Sequence, residues 1–451
     1  MSVRGQLSDR LRIAWASPVN SASAIGRVSA DVTDALIARG HDVRLIATEA
    51  DPALAAASRH PATAECEHFS AVDFDRLAEE TDAVVVNIGD NYAFHAGVFP
   101  LLERGGCVGV FHDFYLYNLL RGWSEAIAGG RPASWARARR IQVVTDTYGA
   151  PLAGLAARAE TGEASLDAIA ARMPMTEWLA AKCAGALGHA GFYLDRLAAG
   201  CPGPIEMARL PVRGREVAPL APREAAGLRL LTVGVMNANK CAAEVIEAIA
   251  GAPALRDRIG YDLAGPIDET ERARLGALAS RLDYRGLAIH GPVDDGRLKA
   301  LLEAADVICC LRRPVLEGAS GSTVEALMAA RPVLVANAGS AAEIPDDMVF
   351  KIPAACAPAD IAAQLQRLAD DPVLRRTAGA KGKAWAVETF SLTAYADTLE
   401  GLIRAAIAAW PAQAVGRALG REIAALGLGP GDPAVARVEA VLAPLLSGAR
   451  R

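Results

Sequence analysis

The chain has 451 residues, of which 52% are hydrophobic and 22% charged. This length exceeds one ordinary core and predicts two domains. The composition is typical of a soluble globular protein and excludes a disordered or fibrous one. A formal net charge of −5 opposes a whole-protein electrostatic grip on nucleic acid, so we expect no nucleic-acid partner.

We recognise no targeting signal and no metal-binding motif in the sequence. The stretch MSVRGQLSDRLRIAWASP lacks an apolar core of signal-peptide length, and no window approaches the ~18 to 20 apolar residues of a membrane span. The eight cysteines form no CxxC pair and have no neighbouring His at metal-ligand spacing. We therefore expect a cytoplasmic protein with free buried thiols and no bound metal.

The first half alternates short apolar runs with Ala/Leu-rich helical segments, which is typical of parallel sheets with crossover helices. Residues 115–182 are mostly helical and predict an insertion. Within it, RPASWARARR (131–140) is open to two interpretations, a solvated helix face or an acceptor- or membrane-surface patch. The predicted elements before and after the insertion are strands 11–17, 42–47, 82–88, 107–113 and 185–190, and a helix over 24–39.

A second cycle of the same pattern follows a Pro- and charge-containing segment, 210–227, which we interpret as an interdomain linker. We expect domains at 1–209 and 228–385, with 386–451 forming helices that cross back to the first domain and a tail from about 411. The predicted elements of this cycle are strands 228–235, 261–265, 287–291, 306–311 and 332–337, and helices 241–250, 269–282, 295–305 and 322–330.

This pattern predicts an α/β fold of two Rossmann-like, doubly wound parallel-sheet domains. Ligands of such sheets bind at the carboxyl ends of the strands, so we expect a cleft between the domains to be the site. The functional side chains should therefore follow the predicted strands.

Glu317 and Glu325 are separated by seven residues and have several possible roles. On one helix they would lie ~80° apart, so the segment should break between them at its glycines and serines. Ser322 is then the expected N-cap, and Glu325 could complete a capping box with it. Such a loop entering a helix is also an anion site, and this alternative stays open beside the capping role.

The stretch LEGASGSTVEALMAARPVLVANAGSAAEIPDD resembles the donor-binding segment of retaining glycosyltransferase family four, the group 1 glycosyltransferases of GT-B fold. The two glutamates match the E-x7-E signature of that family, and Glu343 matches a further recurrent position. The resemblance implies that Glu317 lies beside the donor sugar and that Glu325 holds the ribose hydroxyls. It also implies that the diphosphate meets the loop amides of Gly318, Ala319, Ser320, Gly321 and Ser322.

A second stretch, LLTVGVMNANKCAAEVIEAI, resembles the Gly-Arg-Leu-x-x-x-Lys segment of the family. Gly234 and Lys240 are in place, but Val235 stands where the Arg is usual. Lys240 is therefore expected to bear more of the neutralisation of the leaving diphosphate, with Asn239 as a neutral donor. Other cations that could take the missing role are Arg27, Arg312 and Arg313.

The first half carries two weaker matches. CVGVFHDFYL is similar to a subgroup in which a strand ends at His-Asp, which implies that His112 contacts the donor sugar and that Asp113 and Tyr115 lie on the acceptor side. A satisfied structural histidine is the alternative for His112. In the first βα turn, only Gly26 remains of the usual glycine pair that approaches the donor.

The resemblance implies metal-independent transfer of a sugar from a nucleoside-diphosphate sugar to an acceptor hydroxyl, with retention at the anomeric carbon and no cofactor. The acceptor could be a glycan, a lipid-linked molecule or a small molecule. Peripheral contact with the inner face of the membrane and a homo-oligomer stay open. The alternatives are a sugar-nucleotide epimerase or a phosphorylase of the same fold, and a non-catalytic glycosyltransferase-like subunit.

Overall fold

The computed structural model describes residues 9–220, 227–428 and 432–447. The predicted linker and the predicted tail therefore lie partly outside the described residues. The chain divides into two compact units, one formed by the residues up to Ala208 and those from Leu392 onward, the other by Arg209–Ser391. No helix in the described part is long and apolar enough to cross a membrane.

The strands and helices are numbered here in chain order. The strands are β1 Arg12–Ser17, β2 Asp42–Ala47, β3 Cys66–His68, β4 Ala83–Ile88, β5 Cys107–Phe111, β6 Gly185–Gly188, β7 Ile205–Met207, β8 Leu228–Val233, β9 Ile259–Ala264, β10 Leu287–Gly291, β11 Val307–Cys309, β12 Val333–Ala336 and β13 Phe350–Ile352. The helices are α1 Ala24–Ala38, α2 Pro52–Ala57, α3 Phe74–Glu80, α4 Tyr92–His95, α5 Val98–Arg104, α6 Tyr117–Ala126, α7 Ala133–Tyr148, α8 Ala153–Thr161, α9 Leu166–Arg172, α10 Thr176–Ala180, α11 Leu194–Gly200, α12 Ala242–Gly251, α13 Pro253–Arg256, α14 Glu269–Arg281, α15 Asp295–Ala304, α16 Gly321–Met328, α17 Gly339–Ala342, α18 Pro358–Asp370, α19 Pro372–Thr389, α20 Leu392–Ala425 and α21 Pro433–Ser447.

Each unit contains one parallel sheet with the doubly wound strand order. In the first unit the order is β3-β2-β1-β4-β5-β6-β7, and in the second it is β10-β9-β8-β11-β12-β13. Every strand pairing is parallel. The order reverses between β1 and β4 and between β8 and β11, and ligands of this fold bind at such reversals. The two predicted Rossmann-like sheets are confirmed.

The predicted strands are present, and the structure adds β3, β7 and β13. These three are only three residues long, so they carry too few positions for a periodic signal. In β3 and β7 no residue is fully buried, which removes the apolar run as well. The helical insertion predicted for 115–182 is present as α6 to α10.

The C-terminal helix extends past residue 411, where the tail was expected to begin. Helix α20 begins after a break at Phe390 and Ser391 and continues through Pro411 to Ala425. A proline inside a helix removes one hydrogen bond and crowds the preceding turn. Tertiary contacts within the first unit compensate, because Gln413 Nε2 donates to Ala184 O at 3.0 Å and Arg417 Nη2 donates to Cys183 O at 3.0 Å.

The core of the first unit joins α20 to the sheet. The buried side chains Leu399, Leu402 and Ile403 of this helix share one apolar cluster with Ile13 and Trp15 of β1. On the second sheet, separate apolar clusters cover the two faces. The sheet faces are therefore filled by apolar packing, which leaves the strand ends for polar side chains.

We predict that Leu399→Ala lowers the free energy of unfolding by about 2–5 kcal/mol, because Leu399 is 0% exposed and its truncation leaves a cavity. The matched control is Val415→Ala on the same helix, where the side chain is 53% exposed and the expected change is within about 0.5 kcal/mol. Urea unfolding followed by circular dichroism measures both. Equal losses in the two variants would contradict the packing described for α20.

Candidate functional site

Lys240 lies beyond the carboxyl end of β8 and is 6% exposed. Its Nζ donates to Val233 O at 3.0 Å and lies above Gly234, where a Cβ would come within 2.8 Å of it. Gly234 also has φ of 109°, a backbone conformation that favours glycine. Burial, together with the nearby Arg312 guanidinium, lowers the pKa of Lys240 to about 8, against the opposing effect of Glu317. The amine is therefore held at the strand end and loses its proton at a lower pH than a solvated lysine does.

Arg312 follows β11, the neighbour of β8 in the sheet, and connects several of the predicted donor-binding residues. Its Nε donates to both carboxylate oxygens of Glu317, each at 3.0 Å. Its Nη2 donates to Ser322 Oγ at 2.8 Å and to Ser320 Oγ at 3.4 Å. The Glu317 side chain is 31% exposed and that of Arg312 is 9% exposed. The carboxylate can thus face a ligand while the guanidinium stays behind it.

Helix α16 begins at Gly321, and its N-cap is Ser320, two residues before the predicted N-cap Ser322. Ser320 Oγ accepts a hydrogen bond from Thr323 N, and Ser322 lies inside the first turn. The capping box between Ser322 and Glu325 is therefore wrong. Because Ser320 caps the helix, the third helical position is Thr323, and Glu325 lies two residues beyond the position from which a capping-box glutamate reaches back. The amides of Gly321 and Ser322 belong to the first turn, whose N–H groups have no acceptor within the helix.

Glu325 and Glu343 are each paired with an arginine from the connection between the two units. Arg215 Nε donates to Glu325 Oε1 at 2.7 Å, and Arg209 Nη1 donates to Glu343 Oε2 at 2.7 Å. Arg215 also lies 2.9 Å from Asp295. Residues 209–215, most of which lie in the predicted interdomain linker 210–227, belong to the second unit, and two of their arginines pair with three of its carboxylates. No alternation or motif in this segment indicated these pairings.

In the first unit, His112 follows β5 and is 7% exposed. Asn87 Nδ2 donates to Ala16 O, which leaves Asn87 Oδ1 to accept from His112 Nε2 at 2.9 Å. The other ring nitrogen lies 3.2 Å from His189 Nε2. Burial, with smaller effects of His189 and His95, lowers the pKa of His112 well below its usual value. Both nitrogens are engaged by the protein, as in a satisfied structural histidine, and the contact with a donor sugar stays a prediction.

The predicted acceptor-side residues Asp113 and Tyr115 lie near Asp90, which sequence analysis missed. Asp113 Oδ2 accepts from the Asp90 amide at 2.7 Å, and Asp90 accepts from Asn118 Nδ2 and Leu119 N. Burial and the Asp113 charge raise the pKa of Asp90 well above its usual value. Tyr115 is buried, which raises its pKa, and Asp90 raises it further. The position of Asp90 just after β4 was the signal that could have identified it.

The first βα turn is organised by a buried carboxylate. Glu49, which is 0% exposed, accepts from Val19 N at 2.7 Å and from Asn20 N at 2.8 Å through Oε1. Gly26 N donates to Ser23 Oγ, the cap of α1, and a Cβ on Gly26 would come within 2.8 Å of Pro18 O. Close packing therefore accounts for Gly26, whose donor contact stays a prediction. The turn already holds an anionic group of its own.

Asn239 and Arg313, two further predicted residues, are joined by a backbone hydrogen bond. Asn239 is buried, and its carbonyl accepts from Arg313 N at 2.8 Å. Arg313 Nη1 donates to Ala355 O, and Val235 is 59% exposed. Across residues 9–220, 227–428 and 432–447, no three His, Cys, Asp or Glu side chains are grouped as a metal-ligand set.

The comparisons with known proteins agree with this architecture. Residues 224–385 match the family model described as glycosyl transferases group 1. No curated protein matches the chain. Among solved structures, sucrose-phosphate synthase from Thermosynechococcus elongatus has 16% identity and a TM-score of 0.59, over 88% of this chain and 98% of that one.

Two further solved structures have the same fold. HepE of Anabaena, in complex with UDP and glucose, has 13% identity and a TM-score of 0.57, over 87% of this chain and 99% of that one. WaaG, a glycosyltransferase involved in lipopolysaccharide biosynthesis, has 16% identity and a TM-score of 0.51, over 87% and 99%.

The fold and the match define the class of protein. The chain has the GT-B fold, and residues 224–385 of its second unit match the group 1 glycosyltransferase model. The resemblance of the sequence to that group is confirmed over this part of the chain.

We predict that Glu49→Ala lowers the free energy of unfolding by about 2–4 kcal/mol, because two buried amides lose their acceptor. Glu49→Gln should cost less, since its side-chain oxygen can still accept. The exposed Glu65→Ala is the control and should change stability little. Thermal and urea unfolding measure the three variants, and a loss of the same size in Glu65→Ala would contradict the role given to Glu49.

Proposed function

We propose that this protein transfers a sugar from a nucleoside-diphosphate sugar to an acceptor hydroxyl, with retention at the anomeric carbon and without a metal ion or cofactor. The observation that carries the proposal is the cluster of Lys240, Arg312 and Glu317 at the ends of the adjacent strands β8 and β11. HepE, of the same fold, is known in complex with UDP-glucose, which supports a nucleotide-sugar donor here.

The departing diphosphate needs positive charge where its own negative charge develops. Lys240 supplies an ammonium group whose burial strengthens its interaction with an anion. The amides of Gly321 and Ser322 lie at the N-terminus of α16, which carries a partial positive charge. Their N–H groups could donate to a phosphate. Together these groups would bind the diphosphate in the absence of a cation from solution.

The carboxylates would fix the two ends of the donor. Glu317, half-buried and backed by Arg312, has oxygen lone pairs that can accept from sugar hydroxyls. Glu325, whose Oε1 is held by Arg215, would accept from the ribose hydroxyls through its remaining capacity. Glu317 and Glu325 would therefore bind two different parts of one ligand, and they would not act as a pair that shares a proton.

The acceptor would bind near Asp113 and Tyr115 of the first unit, and the donor phosphate would take the proton of the acceptor hydroxyl. This needs no carboxylate base of the glycosidase type. A glycan, lipid-linked or small-molecule acceptor is compatible with this arrangement. WaaG, which shares the fold, acts in lipopolysaccharide biosynthesis and supports the first two classes.

We predict that Lys240→Ala and Glu317→Gln each lower kcat/KM by about 10²-fold or more, because each removes a contact with the reacting donor. The donor is chosen from UDP, GDP, ADP and dTDP sugars by thermal shift, since a ligand of the native state raises its stability. Release of nucleoside diphosphate gives the rate.

The control for these variants is Lys299→Ala, since the Lys299 side chain is 50% exposed and its pair with Glu303 is a surface contact. It should retain the wild-type rate. Wild-type activity in Lys240→Ala would refute the role of this lysine. Donor binding with no turnover in the wild-type protein would favour the non-catalytic subunit instead.

We also predict that affinity for the nucleoside diphosphate decreases above pH 8. The pKa of Lys240 falls from the usual lysine value of 10.5 to about 8 in the folded protein, so its ammonium form is lost above that pH. Burial is the main cause of this lowered pKa; the Arg312 guanidinium lowers it further, and Glu317, Cys310 and Cys309 raise it. The dissociation constant should rise, approaching tenfold per pH unit.

Calorimetric titrations from pH 6.5 to 9.5 measure this dependence. Lys240→Ala should bind weakly at every pH and show no such limb, and Lys240→Arg should keep its affinity at high pH because a guanidinium stays charged. An alkaline limb that persists unchanged in Lys240→Ala would assign it to another group.

A further inference from the structure

Arg312 backs Glu317 and also contacts the residues that begin helix α16. It is 8% exposed, and its guanidinium donates to five acceptors of the second unit. These acceptors are both carboxylate oxygens of Glu317, Leu311 O, Ser320 Oγ and Ser322 Oγ. A guanidinium that uses four of its five N–H donors in these contacts, and whose surface is so little exposed, is poorly placed to bind phosphate directly.

The acceptors of Arg312 share a functional location. Glu317 is the carboxylate of the loop after β11, and Ser320 and Ser322 frame the first turn of α16. Arg312 therefore connects the carboxylate to the helix start through one rigid planar group. A lysine has no fork geometry and could not hold both sides in this way.

Arg312 also contributes a positive charge close to Lys240. The two cations and the single carboxylate Glu317 give the cluster a formal charge of +1. Val235, whose side chain is 59% exposed, leaves the site without a cation at that position. Arg312 thus supplies a second positive charge from the strand β11 instead of from the loop after β8.

We propose that Arg312 is a positioning residue of the transfer reaction, which orients Glu317 and the first turn of α16 toward the donor. This inference rests on the proposed function. It assigns to Arg312 an action through Glu317 and the start of α16, and not a direct contact with substrate. Its loss should therefore affect turnover more than binding of the nucleoside diphosphate.

The test compares Arg312→Gln and Arg312→Lys with the wild-type protein. We expect Arg312→Gln to lower kcat by about 10²-fold, as for a misplaced catalytic group, while the dissociation constant of the nucleoside diphosphate changes less than about fivefold at pH 7. Arg312→Lys keeps the charge but not the fork, so it should recover only a small part of kcat. If Arg312→Gln does not fold, Arg312→Lys is measured in its place.

The pH dependence separates positioning from a merely structural role. Arg312 lowers the pKa of Lys240 and Glu317 raises it. The alkaline limit of nucleoside-diphosphate affinity should therefore move to higher pH in Arg312→Gln and to lower pH in Glu317→Gln. The matched control is Arg331→Gln, which removes a guanidinium that is 1% exposed and donates to several backbone carbonyls. It should lower Tm and leave the limit in place.

Each outcome decides the inference. An alkaline limit and a kcat of Arg312→Gln equal to those of the wild-type protein would overturn it, while the proposed function would stand on the wild-type turnover. Loss of nucleoside-diphosphate binding by more than about a hundredfold would also overturn it, since Arg312 would then be a direct ligand. Absence of binding and turnover in the wild-type protein would refute the proposed function itself.

Discussion

Parallel pairing is the constraint on which the site depends. When all strands of a sheet run in one direction, their carboxyl ends lie at one edge, and the loops that follow them converge there. In the second unit this brings the loop after β8, with Lys240, beside the loop after β11, with Arg312 and Glu317. In the first unit the same rule brings Asp90, after β4, beside Asp113, after β5. Distant parts of the chain thus meet without any local signal.

The cluster of the second unit places two cations and one carboxylate in a poorly hydrated position. Burial disfavours a charged amine, and the neighbouring guanidinium disfavours it further. The pKa of Lys240 is lowered as a result. A bound diphosphate would reverse this balance, because its negative charge favours the ammonium form. Lys240 therefore has a lowered pKa when no anion is bound, and a bound anion would raise that pKa.

The two units treat the first turn of their sheets differently. In the first unit the Glu49 carboxylate occupies the amides of Val19 and Asn20, which an anionic ligand would otherwise meet. In the second unit the corresponding turn carries Lys240, and the amides at the start of α16 have no acceptor within the helix. The first turn keeps only Gly26 of the usual glycine pair, which is consistent with this difference. A turn whose amides bind a side-chain carboxylate does not need glycines that let a ligand approach the backbone.

The sequence by itself determined the alternation of strands and helices and the two sheets, because apolar periodicity and glycine-rich turns are local properties. Its resemblance to a known family singled out the Lys240 and Glu317 segments. The sequence did not determine the partners of those side chains. That Ser320 caps α16, that Glu325 pairs with Arg215, that His112 is engaged on both nitrogens and that Arg312 backs Glu317 depend on residues distant in sequence. Hydrogen bonds and burial are set by the packed fold, so only the tertiary structure decided which of several plausible partners each group takes.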